Sequence, residues 1–142
     1  MKSNNFIYLN GNENFDGIIE KIVIENDLKR VTISVKQWHS DTYVLSELKF
    51  IGVVFQSLPD ISSFNLITEI ITRNDTESII NELDNYLREN PTLILANAHD
   101  NIRNDIKKET NLSSYFITSG YCKDWLIVCA EMLLTEKTEL EK

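Results

Sequence analysis

Cysteine, histidine, glycine and cations are all scarce in this chain, and each scarcity removes a class of chemistry. The two cysteines, Cys122 and Cys129, are separated by six residues, which fits neither a zinc-ligand pattern nor a Cys-x-x-Cys redox motif. Cys129 sits among apolar neighbours, where a thiol behaves as a small hydrophobe. Cys122 has Lys123 beside it, but no base or oxyanion site can be named for a nucleophile. Two histidines, His39 and His99, are too few and too far apart for a metal site, which wants three or four ligands at helical or hairpin spacing. The triplet His39-Ser40-Asp41 holds the residue types of a hydrolytic triad. Sequence neighbours cannot form one, because the acid must orient the base from behind while the base reaches the nucleophile. The four glycines compose neither a Gly-x-Gly-x-x-Gly nor a P-loop. No catalytic set, metal or cofactor is therefore expected.

The first residues, Met1-Lys2-Ser3-Asn4-Asn5-Phe6, lack the apolar region of a signal peptide. No run approaches the ~20 apolar residues of a membrane-spanning helix. A cytoplasmic protein with no membrane partner is expected. Cations number 14 against 22 carboxylates, giving a net charge of −8 and a pI near 4.7. That balance argues against nucleic acid, whose binders must neutralise phosphates. It suits solubility and long-range attraction to a basic protein.

What the chain does contain is β pattern. The densest apolar run, Leu48-Lys49-Phe50-Ile51-Gly52-Val53-Val54-Phe55, is β-branched and aromatic and too short for a buried helix. It is the expected central strand, spanning 43–55, with Gly52 as a bulge or register change. Before it, 17–25 and 31–36 form a hairpin across Asn26-Asp27-Leu28-Lys29, and 37–42 is a loop. A short strand at 6–9 and another at 66–72 complete an expected antiparallel meander.

The period then changes. Ile79, Ile80, Leu83, Tyr86 and Leu87 share one helical stripe, so a helix is expected over 77–90, capped by Asn74 or Asp75 and ended by Pro91. Residues 92–96 read as a short buried strand. The stretch 99–109 reads as a second short helix or a surface loop. Strands at 114–118 and 125–134 form a last hairpin, and 135–142 is a charged tail expected to fray. The expected class is α+β: one domain over 1–142, mainly antiparallel sheet, flat or curved into a half-barrel or sandwich.

This order of elements resembles the small bacterial immunity proteins of polymorphic toxin and contact-dependent inhibition systems. The resemblance is carried by Phe15-Asp16-Gly17-Ile18-Ile19, by Leu48-Lys49-Phe50-Ile51-Gly52-Val53-Val54 and by Ile67-Thr68-Glu69-Ile70-Ile71. Late in the chain it is carried by Tyr115-Phe116-Ile117 with Ile127-Val128-Cys129-Ala130-Glu131. It implies an inhibitor that binds a cognate toxin domain, often a basic nuclease, and does no chemistry itself. The surface expected to meet that partner is an aromatic anchor rimmed by carboxylates: Trp38 and Asp41 in the loop, with Glu77, Glu82, Asp84 and Glu89 on the helix. Two other readings stay open. One is a small-ligand binder or enzyme with an apolar pocket lined by Leu48, Phe50 and Val54. The other is a homodimeric assembly module joined through a sheet edge or the Trp125 face.

Overall fold

A computed structural model describes residues 5–9, 17–39, 42–58, 66–89, 96–108, 111–119 and 124–140. In chain order they form β1 (Asn5–Phe6), β2 (Gly17–Glu25), β3 (Arg30–His39), β4 (Thr42–Ile51), β5 (Phe55–Ser57) and β6 (Leu66–Arg73). Then follow α1 (Thr76–Glu89), α2 (Ala96–Lys108), β7 (Ser113–Ser119), β8 (Trp125–Cys129) and β9 (Glu131–Leu140). Every strand pairing is antiparallel. The spatial order is β5-β8-β7-β6-β2-β3-β4-β9, with β1 added on β6. The protein is α+β, and its sheet is open rather than closed into a barrel.

Two consecutive ladders, β2-β3-β4 and β6-β7-β8, are joined where Gly17 and Ile18 of β2 lie opposite Ile67 and Leu66 of β6. The expected meander therefore holds only as far as β4. The chain then leaves that ladder at Gly52, and β6 returns to the far side of β2. Gly52 has φ +69°, a left-handed conformation that costs L side chains energy. Between the pair Ile51–Glu131 and the pair Phe55–Val128, three residues (Gly52, Val53, Val54) face two (Cys129, Ala130). The Ala130 N–H is shared between the Ile51 and Gly52 carbonyls, at 3.1 and 3.2 Å. The apolar runs at 43–55 and 125–134, each read as one strand, are thus each broken in two at a common bend. The two runs stay paired with each other across it, but the further neighbour changes: β3 lies beside β4 on one side, and β7 beside β8 on the other.

That bend curls the sheet over its own core. Val31, Ile33 and Val35 of β3 and Leu48 and Phe50 of β4 form one wall, facing Ile67, Ile70, Tyr115, Ile117, Trp125 and Ile127 from β6, β7 and β8. Alternation along β3 and β4 follows from the two-residue period of a strand, with inward positions buried and outward ones half-exposed. On the other side of β5, β7 and β8 lie the two helices. Ile79, Ile80, Leu83, Tyr86 and Leu87 of α1 and Ile106 of α2 pack against Phe55, Leu126 and Val128. All five residues of β8 are buried because its two faces serve different cores, as in any strand covered on both sides.

Helix α1 starts where its stripe predicts. Asp75 is the cap, its Oδ2 accepting from the Ser78 N–H at 3.0 Å, which satisfies one of the unpaired donors of the first turn. Residues 99–108 are helical, so the helix reading holds over the loop reading there. The helix opens already at Ala96, and the rest of the strand expected at 92–96 lies outside the described residues. The loop expected at 37–42 is shorter than its polarity suggested. β3 runs to His39, β4 resumes at Thr42, and these two residues are partners.

The expected frayed tail is corrected. Residues 135–140 belong to β9, paired one for one with β4 from Ile51–Glu131 to Thr42–Leu140. Glu136, Lys137 and Glu139 read as a solvated tail because an edge strand tolerates charge that a central strand does not. Met132 and Leu134 still turn inward and pack against the core.

Candidate functional site

The outward positions of β2, β3 and β4 make a polar grid. Lys21, Ser34 and Glu47 stand in one cross-strand row, Val23, Thr32 and Lys49 in the next, and Glu25 and Arg30 in the third. Their side chains line a shallow groove of about 230 Å³. Glu25 and Arg30 grip each other bidentately, with Nε–Oε1 at 2.8 Å and a second nitrogen to Oε2 at 3.1 Å. That hydrogen bond holds the Glu25 carboxyl below its ordinary range, against a weaker opposing effect of desolvation. Glu25 is thereby an anion at neutral pH rather than a proton donor. At the neighbouring row Lys36 lies 3.5 Å from Glu20 and 4.3 Å from the Tyr43 ring centre, a cation–π arrangement. Charges of both signs over a floor of hydroxyls suit weak polar contacts. They do not converge on one point as acid–base catalysis needs.

Two of the three residues expected to line an apolar pocket are core residues. Leu48 and Phe50 are 1% and 0% exposed and packed in the core, so the groove lies on the opposite face of the strands they occupy. Val54 instead packs toward the helices.

A second polar cluster ties α1 to the sheet. The Ser114 hydroxyl donates to Glu82 Oε1 at 2.7 Å, and Arg73 donates to Oε2 at 3.0 Å. Burial pushes the Glu82 carboxyl above its ordinary range; Ser114 and Arg73 pull it back only in part. The folded protein therefore holds this proton more tightly than the unfolded chain. The stabilisation is full below the unfolded-state pKa and is lost as pH rises through the folded-state one. Glu82→Gln, which cannot ionise, is expected to abolish that loss. The stability advantage of wild type over variant should shrink on going from about pH 4 to about pH 7. Urea titrations of both proteins across that range measure it, and an advantage that grows with pH contradicts the assignment.

Tyr86 and Cys129 are also structural. The Tyr86 hydroxyl donates to the Asp124 carbonyl and lies 2.9 Å from the Ser57 hydroxyl, joining α1, β5 and the start of β8. Burial pushes the Cys129 thiol up to about 12, which outweighs the backbone hydrogen bonding at Glu131 and Ile51 that would lower it. A thiol so protonated is a poor nucleophile. In the folded protein, site-resolved labelling with iodoacetamide at neutral pH should leave Cys129 unmodified until denaturant is added. Rapid labelling of the native state would contradict this placement.

Of the six residues expected to form a partner surface, the four on α1 are described with their side chains, and they do not share one face. Glu77 and Glu89 are exposed at opposite ends of α1. Glu82 is turned inward onto Ser114 and Arg73, and Asp84 is paired with Arg103 of α2 at 3.4 Å. Trp38 is the β3 residue opposite Tyr43, with its side chain outside the described residues, as is Asp41 altogether. The sequence reading missed that α2 lays Arg103 beside α1 and carries exposed Lys107 and Lys108. Helix–helix register has no local signal in a polar stretch. The outer face of β3 is legible in the alternation of Thr32, Ser34 and Lys36 with Val31, Ile33 and Val35, but its cross-strand neighbours on β2 and β4 are not.

Among the described residues, no three His, Cys, Asp or Glu side chains come together as a metal ion would require, and no helix is long and apolar enough to cross a membrane. No family model, curated protein or solved structure matches the chain.

Proposed function

We propose that this is a non-enzymatic acidic binding protein that docks a basic protein domain, its most specific form being an immunity protein that neutralises a toxin. The observation that carries the reading is the charge of −8 on a frame whose buried functional groups, Glu82, Tyr86 and Cys129, are committed to holding the fold. An inhibitor of this kind needs a preformed surface of about 800 Å² on each partner and charge that speeds encounter. The curled sheet braced by α1 supplies rigidity. Exposed carboxylates lie on more than one element of it, including Glu77 and Glu89 of α1 and Glu131 and Glu136 of β9.

The test is co-expression with the product of the adjoining reading frame, followed by purification through a tag on this chain. A one-to-one complex that protects cells from the other product supports the reading. Absence of any complex, or turnover of a small substrate by the isolated chain, overturns it.

A further inference from the structure

The two ends of the sheet differ. β5 is three residues long, whereas β9 runs ten residues beside β4 with no register shift. Among the described residues nothing pairs with the far side of β9. Natural edges of this length are blunted by proline, a bulge, charged side chains or a covering segment. Of the first three β9 has charge alone, in Glu131, Glu136 and Lys137, and it presents Leu133 at 46% exposure.

The sequence of β9 is complementary to itself when reversed. An antiparallel pairing with a second β9 centred on Leu134 puts Leu134 opposite Leu134 of the second copy. Leu133 then meets Thr135, and Met132 meets the aliphatic stem of Glu136. Glu131 meets Lys137, and two-fold symmetry makes each of these contacts twice. Glu131, Leu133, Thr135 and Lys137 share the outer face, Met132, Leu134 and Glu136 the inner. Each charge pair therefore closes on one face, and the two Leu134 side chains extend the packed inner layer. Other centres lose this match. Centring on Leu133 sets Glu131 against Thr135, and centring on Thr135 sets Glu131 against Glu139.

We infer that a second copy of this chain docks along β9, joining two sheets into one through antiparallel pairing of residues 131–137. The inference goes beyond the proposed function and does not rest on it, since the dimer leaves α1 and α2 on the outside of the joined sheet. An edge of this size covers less than a standard interface, which places the dissociation constant in the roughly 1–100 µM range.

Sedimentation velocity of the intact chain from about 1 µM to about 300 µM is the test, with circular dichroism confirming that each variant is folded. Wild type should pass from monomer to dimer across that range. Glu131→Lys or Lys137→Glu alone places like charges opposite each other twice and should weaken the dimer about tenfold or more. The double variant, with both charges exchanged, should restore it. A wild type that stays monomeric throughout overturns the inference. So does a dimer indifferent to the single variants, or a double variant no better than the singles.

Discussion

Replacing Phe50 with alanine is expected to cost about 3–5 kcal/mol, the range for emptying a large aromatic site in a packed core. Phe50 is fully buried and stands on β4 between Val31 of β3 and Met132 of β9. Its ring meets Tyr115 of β7 edge-on, with centroids 5.2 Å apart at 64°. That contact joins the two walls of the curled sheet, and such pairs add about 0.5–1.5 kcal/mol beyond area alone. Most small domains have only about 5–15 kcal/mol to lose. Urea unfolding should show a large fall in midpoint with an unchanged slope. A loss below about 1 kcal/mol would mean that the walls do not meet there.

The second large effect belongs to Gly52. A Cβ built on it falls 2.9 Å from the Ala130 Cβ, and its φ of +69° is unfavourable for any L side chain. Gly52→Ala is expected to destabilise by about 2–3 kcal/mol, combining backbone strain with overpacking. The two causes can be separated. Adding Ala130→Gly removes the facing methyl but not the strain, so the double variant should recover about half of the loss, as coupled neighbours do. Thermal unfolding should reveal the single variant as a drop of roughly 6–12 °C. A Gly52→Ala protein as stable as wild type would contradict the bend.

The same residue shows how far the sequence can be read. Gly52 within an apolar run announced an irregularity, and the stripe from Ile79 to Leu87 announced α1, because both signals are local. Hidden from view was the change of further neighbour across the bend. Strand partners are chosen by residues far apart in the chain, such as Phe50 with Met132 and Phe55 with Val128. The charged residues after Thr135 imitate a loose tail for a related reason. Their strand character comes from β4 on one side only, so nothing in their own composition demands burial.

Candidate-site residues were legible by type but not by placement. Glu82 and Asp84 look like members of an acidic helix face. Only the packing of β6, β7 and α2 supplies the partners Arg73, Ser114 and Arg103 that commit them elsewhere. Glu77 and Glu89 keep the exposure that their positions on the helix imply. A helical wheel drawn from one segment cannot show which of its polar positions another segment will cover.

The proposal that this chain acts by charge-guided docking is tested most directly by titrating it calorimetrically with the product of the adjoining reading frame over a series of salt concentrations. The account predicts a one-to-one complex whose affinity falls about tenfold or more between roughly 0.05 M and 0.5 M salt, as screening shortens the reach of the −8 charge. Affinity that does not change with salt, or no binding at low salt, would contradict it.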